Sequence, residues 1–144
     1  MTVQDILTRK GGHVVVVRPE ETVLEAAHKM NAVRIGSVVV FEPDRGVTGI
    51  FTERDVLRRV VGECRSPAET PVSQVMSTPV TCCKPETTLE ECKEVMTSKR
   101  LRHLPVVSDG ALVGIISTGD LLVGEVELQQ STIDHLHAYL NNWS

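Results

Sequence analysis

Gly49-Ile50-Phe51-Thr52-Glu53-Arg54-Asp55 returns 65 positions later (114 − 49) as Gly114-Ile115-Ile116-Ser117-Thr118-Gly119-Asp120. In each copy a glycine and two apolar residues read as the end of a buried strand, and the hydroxyl residue after them is a natural helix N-cap. A strand therefore delivers a helix start to one defined place in each copy. Such a start offers unpaired backbone N–H groups and about half a positive charge, which suits a phosphate. An aspartate three residues on can accept hydrogen bonds from vicinal hydroxyls. The same spacing is also a capping box, in which Thr52 with Asp55, and Ser117 with Asp120, serve only the orphan donors of their own helix, at about 1 kcal/mol per cap. A single Thr-x-x-Asp reads as a cap. The duplication sets a ligand reading beside it.

The repeat extends outward from this motif. Val3 to Leu7 reads as a short helix and is answered by Val72-Ser73-Gln74-Val75-Met76. After the inserted Gly11-Gly12, the β-branched run Val14 to Val17 reads as a strand ending at Arg18-Pro19, answered by Val80-Thr81-Cys82-Cys83-Lys84-Pro85. Thr22-Val23-Leu24-Glu25 and Thr88-Leu89-Glu90-Glu91 are capping boxes that open helices running to about Ala32 and Ser98. Ala26, Ala27, Met30 and Val33 give the first an apolar stripe; Leu89, Cys92, Val95 and Met96 do so for the second. Second strands follow at Ser37 to Phe41 and Leu104 to Val107, where Pro105 predicts an edge or entry position. Third strands, Val47 to Phe51 and Leu112 to Ile116, lead into the two opening motifs.

Each half thus reads β-α-β-β-α behind a short leading helix. The pattern predicts a mixed α/β (α+β) fold of small mixed sheets with helices on one face. Residues 1–61 and 72–124 form the halves, the polar, proline-punctuated stretch 62–71 is the linker, and 125–144 is a helical tail. A half of about 60 residues is marginal alone, so the two are expected to share an interface as one pseudo-two-fold unit.

Composition narrows the function. The formal charge of −4, with one Trp, one Tyr and two Phe, leaves neither a basic surface for phosphate backbones nor a stacking platform, so nucleic acid is not expected as a partner. No apolar run reaches the roughly 18 residues of a membrane span, and Met1-Thr2-Val3-Gln4-Asp5 lacks the layout of a signal peptide. The expectation is a cytoplasmic protein that is not on a membrane. Cys64, Cys82, Cys83 and Cys92 fit no paired metal-ligand spacing and read as reduced packing residues. No Ser-His-Asp set, P-loop or metal-ligand cluster points to an enzyme.

Several segments together resemble a known family: Val72 to Ser77, Pro85 to Met96, Leu101-Arg102-His103-Leu104-Pro105-Val106-Val107, and both glycine-to-aspartate motifs. From about Val3 to Val123 the chain is similar to a tandem pair of CBS domains, the Bateman module. The resemblance implies a non-catalytic regulatory sensor with two clefts between the paired motifs. Each cleft would hold an adenosine-bearing ligand such as AMP, ADP, ATP, a dinucleotide such as NAD, or S-adenosylmethionine. Carried over by position, Thr52 and Asp55 serve one site, Ser117 and Asp120 the other. Backbone around Val15 and Thr81 would read the adenine edge, and Ile35, Gly36 and Val38, with His103 and Pro105, would wall the pockets. The alternative function is a ligand-free scaffold that modulates a partner protein.

The two sites differ in charge. Arg54 lies in the first turn after Thr52, and Arg58 is four residues further on, so both are candidates for a phosphate or for a solvated helix face. Thr118-Gly119 carries no cation, and Arg102 or His103 would have to supply it. In the tail, Leu122, Val126, Gln129, Ile133, Leu136, Leu140 and Trp143 recur in alternating steps of four and three. This is a heptad seam that either packs back on its own domain or pairs with another helix. The resemblance implies a flat homodimer to which this helix adds contacts.

Overall fold

The computed structural model describes residues 1–143. The chain runs α1 (Val3–Lys10), β1 (Val16–Val17), α2 (Val23–Val33), β2 (Ser37–Glu42), β3 (Gly46–Thr52) and α3 (Glu53–Asp55), which continues as a π-helical segment, Val56–Val61. After a 3-10 turn at Val72–Gln74 come α4 (Leu89–Lys99), β4 (His103–Ser108), β5 (Ala111–Ser117) and α5 (Thr118–Trp143). One sheet has the order β1-β2-β3, with β1 parallel and β3 antiparallel to β2; the other is the antiparallel pair β4-β5. The mixed α/β architecture and the long C-terminal helix match the sequence expectation.

The second sheet lacks the strand expected at Val80 to Pro85, which is reduced to a single parallel bridge, Cys83 to Val106. Proline explains the loss. In the first half Val39 donates its N–H to the Val15 carbonyl at 3.1 Å. The residue 66 positions on (105 − 39) is Pro105, which has no N–H to give to Thr81. What remains is Cys83 donating to the Pro105 carbonyl and accepting from Val107, each at 2.9 Å. Pro105 therefore lies on β4 between β5 and the Cys83 bridge, on the side where only that bridge forms.

The leading segments are exchanged between the halves. Val3, Ile6 and Leu7 of α1 are buried with Leu89, Cys92, Met96, Leu104 and Ile116, the core of the second half. Val72 and Val75 are buried with Val23, Met30, Val38, Phe51 and Val60, the core of the first. Backbone hydrogen bonds repeat the exchange: Val3 N–H to Thr87 O and Val72 N–H to Glu21 O, both at 2.8 Å, and Gln4 to Pro85 and Ser73 to Pro19 beside them. Two glycines admit the crossing segments. A Cβ on Gly114 would lie 2.6 Å from a methyl of Leu7, and one on Gly49 would lie 2.3 Å from the sulfur of Met76. The glycine that opens each repeated motif is thus a seat for the other repeat's leader. Gly11-Gly12 then turns the chain back to its own half: Gly11 closes α1 at φ +90°, and Gly12 passes 2.6 Å, at its notional Cβ, from the Val113 carbonyl.

The stretch 62–71 is more than a linker. Its Thr70 and Pro67 carbonyls accept the Val23 and Leu24 N–H groups at 2.9 and 3.0 Å, satisfying orphan donors at the start of α2. Thr22 and Thr88 cap α2 and α4 through their hydroxyls, each 3.2 Å from the N–H three residues on. Glu25 and Glu91 return no bond among the described residues, so these are N-caps and not full boxes. The cysteines also divide. Cys83 and Cys92 are core, their thiols against one another, while Cys64 and Cys82 are exposed. The contact with Cys92 and burial together push the Cys83 thiol far up, so it stays protonated.

On α5 the seam faces outward: Leu122 and Leu140 are each 62% exposed, and Val126, Ile133 and Leu136 are exposed with them. It does not fold back on its own domain. The side chain of Trp143, the last seam position, lies outside the described residues. No helix among the described residues is long and apolar enough to cross a membrane.

Because α1 belongs to the second core, Ile6→Ala should lower stability by about 2–5 kcal/mol in urea denaturation. Hydrogen exchange should show β4 and β5 amides losing protection before those of β2 and β3; the opposite order would assign α1 to the first half.

Candidate functional site

Between the halves lies a cleft of about 200 Å³. Its floor is the first repeated motif, Ile50 with Thr52, Glu53, Arg54 and Asp55; Gly36 and Ser77 flank it, and Arg100, Leu101, Arg102 and His103 form the opposite wall. The wall is positioned by the end of α4. Arg100 adopts the left-handed conformation there (φ 55°), as Arg34 does at the end of α2, and turns the chain sharply into β4.

The motif satisfies itself first. Thr52 N–H and Oγ donate to Asp55 Oδ2 at 3.0 and 3.3 Å, and Asp55 N–H donates back to Thr52 Oγ at 3.3 Å, a complete capping box. The Glu53 N–H is taken by the Gly36 carbonyl at 3.0 Å. Asp55 is 5% exposed, and its Oδ1 accepts Ser77 Oγ at 3.0 Å with the Arg59 guanidinium 3.7 Å away. The helix start therefore keeps few free donors, and cleft chemistry falls to side chains. Arg54, Arg100 and Arg102 face Glu53, while Asp55 is balanced by Arg59. The excess is positive and suits an anion.

His103 stands at the start of β4, paired in register with Ser117, and so lies between the two motifs. Burial holds its imidazole below the ordinary 6.5; Asp120 and Glu53 pull it upward, and Lys10 and Arg102 push it further down. It is neutral at pH 7.

The second motif is built alike. Ser117 N–H and Oγ donate to Asp120 Oδ2 at 2.8 and 3.1 Å, and Asp120 N–H returns to Ser117 Oγ at 3.2 Å. Its environment differs, because Lys10 Nζ reaches in from α1 to Asp120 Oδ2 at 2.8 Å and the Ile115 carbonyl at 2.9 Å. Burial alone would raise the Asp120 carboxyl, but the Lys10 ammonium and Ser117 hold it below its usual 3.8. The missing cation thus comes from the leading helix.

Of the residues singled out in the sequence, Thr52, Arg54, Asp55, Gly36, Arg102 and His103 meet in one cleft. Arg102 and His103 face the first motif, where the sequence had offered them to the second. Ser117 and Asp120 pair away from it. Arg58 is exposed and off the cleft: the helix widens to π geometry at Val56, with Gly62 N–H reaching back five residues to the Leu57 carbonyl at 2.9 Å, so the expected four-residue step fails. Val38 is wholly buried in the first core and does not line this cleft; Ile35 and Val15 pack against that core from outside, the Val15 carbonyl being used by Val39. Thr81 accepts Lys99 Nζ at 3.3 Å, and Pro105 is buried on β4. Glu53, Ser77, Arg100 and Lys10 were not picked out. Lys10 ends one leading segment and Ser77 follows the other, so recognising the exchange is the signal that finds them. Arg100 is marked by its place two residues before Arg102.

A family model described as "CBS domain" matches residues 3–62 and again 72–125. The "CBS domain-containing protein YhcV" of Bacillus subtilis is 36% identical over 126 residues, 87% of this chain and 86% of that one. "CBS domain-containing protein CBSX3, mitochondrial" of Arabidopsis thaliana is 31% identical over 147 residues, 96% of this chain and 71% of that one. Among solved structures, the CBS-domain containing protein ATU1752 from Agrobacterium tumefaciens superposes with a TM-score of 0.81 at 42% identity, covering 87% of this chain and 99% of that one.

A histidine with a depressed folded pKa binds fewer protons than its unfolded counterpart just below the ordinary value, so folding stability falls as pH drops through that window. Acidifying from about pH 7.5 to about pH 5 should lower the melting temperature, and His103→Gln should flatten part of that slope. An unchanged slope would show that His103 is solvated.

Proposed function

The chain belongs to the CBS-domain family, with two copies in tandem, and from that premise we propose that it is a non-catalytic cytoplasmic sensor of adenosine nucleotides, AMP, ADP or ATP, bound in the cleft above Thr52 and Asp55. Tandem CBS domains are generally regulatory ligand-binding modules. The observation that supports the finer reading is the union, in one cleft, of an aspartate able to receive a ribose diol and three arginines able to receive phosphate. Ser77 would turn its hydroxyl from Asp55 as the sugar arrives, an exchange of one neutral donor for another. The arginine excess disfavours the cationic S-adenosylmethionine. A cleft of about 200 Å³ is below the usual ~300–1,000 Å³ of small-molecule pockets, which favours a mononucleotide over NAD.

A ligand signals only through a difference in affinity between two arrangements. Here Arg54 comes from the first repeat and Arg100 with Arg102 from the second, so one phosphate chain would tie the halves together. The outward seam of α5 is the second element of the proposal. Val126 and Ile133 alternate with Leu122 and Leu136 in the order of β-branched and leucine positions that favours a parallel helix pair, with Gln129 and Leu140 departing from it. A second copy of the chain covers it in this reading, and a regulated partner protein would sense the dimer's geometry. The scaffold alternative draws on one observation, that both Asp55 oxygens already have partners.

A thermal-shift panel separates the two. AMP, ADP or ATP at about a hundred times its Kd should add roughly 2.7 kcal/mol, a shift of several degrees, while S-adenosylmethionine adds little. Arg102→Ala should weaken the nucleotide about tenfold or more and leave the unliganded melt within about 1 kcal/mol. A panel with no shift at all favours the scaffold. For the seam, Leu136→Glu should convert dimer to monomer in light scattering; an unchanged mass would remove α5 from the interface.

A further inference from the structure

The two repeated motifs share backbone and capping geometry, yet their aspartates keep different company. At Asp55 the outer carboxylate oxygen meets a neutral hydroxyl, Ser77 Oγ at 3.0 Å, with a guanidinium at the edge. At Asp120 a partly exposed primary ammonium stands in the niche, bonded at once to the carboxylate and to the Ile115 carbonyl. Both niche groups are acceptors, and the Ser117 hydroxyl beside them is already turned to Asp120. A pocket made of acceptors is matched by donors, and a vicinal diol would be such a pair of donors.

We propose that Lys10 is an internal occupant of the second cleft, its ammonium standing where the hydroxyl donors of a ligand would stand. Lys10 is thereby the residue that makes the two clefts unequal. Resting on the adenosine-nucleotide reading above, a nucleotide enters the Asp55 cleft with only a hydroxyl to displace, and the Asp120 cleft only by expelling a charge-paired lysine. The side chain reaches its niche because the exchange of leading segments carries the end of α1 onto β5, and Gly11-Gly12 turns the backbone away directly after it. In the first half the segment that occupies this place ends in Ser77-Thr78-Pro79, which supplies no cation. The inequality is therefore written in the leaders rather than in the motifs.

Calorimetric titration of the full chain with AMP tests the consequence, and the carboxyl-carbon NMR titration of Asp120 tests the contact. The expected result is one AMP per chain for the parent and two for Lys10→Ala, with the second event lost again in Lys10→Ala combined with Asp120→Asn. In the parent that second event should be at least about tenfold weaker than in Lys10→Ala, the scale of a lost charge-assisted hydrogen bond. The Asp120 titration midpoint should rise in Lys10→Ala. Two equal sites in the parent, or a midpoint indifferent to Lys10, overturns the proposal. If no variant binds AMP, the nucleotide reading fails, and the Asp120 midpoint still decides by itself whether Lys10 fills the niche.

Discussion

The structure depends on a close approach: a leading segment from one repeat lies across a strand of the other at a point where that strand has no Cβ. Gly49 under Met76 and Gly114 under Leu7 are the two instances. A Cβ at either glycine would force the Met76 or Leu7 side chain to shift, within the segments that carry the buried Val72 and Val75 or Val3 and Ile6. Each such side chain is worth about 1.5–3 kcal/mol of burial, so neither core is complete without its foreign leader. Two repeats that are marginal alone become one cooperative unit through this exchange.

The exchange also builds the functional surface. Since each leader ends beside the opposite motif, the residue that follows it becomes the neighbour of that motif's aspartate. Ser77 arrives at Asp55 and Lys10 at Asp120. The aspartates are equal as caps: both close full boxes with their hydroxyl partners, and the backbone donors at both helix starts are largely consumed. What distinguishes the two motifs is what approaches each from the other half of the chain. An arginine-rich wall faces the first motif, and the Lys10 ammonium is paired with the aspartate of the second.

α5 carries a different property. It begins in the second motif, tied to α1 by the Arg9–Glu127 ion pair and to α4 by Lys93–Glu125 at 3.0 Å, and then runs on past the body of the protein. Beyond that anchorage its apolar seam is exposed among the described residues.

Local pattern alone determined most of the secondary structure. Duplicated capping motifs, β-branched runs and apolar helical stripes each state a preference that nearby residues can satisfy, which is why α2, α4, α5 and strands β2 to β5 lie where their residues predict. Thr52, Arg54 and Asp55 lie together for the same reason, since a strand-to-helix junction fixes them within a few residues of one another. Only the tertiary structure decided the rest. The ownership of α1 turns on whether Gly114 or Gly49 receives Leu7, a contact more than a hundred residues away in sequence that no periodicity encodes. The shrunken strand at Cys83 turns on a donor missing from Pro105, and the loss of Arg58 turns on a π-helical turn. The inequality of the two aspartates follows from Lys10, because a side chain's partner across a pseudo-symmetric interface is set by packing and not by spacing along the chain.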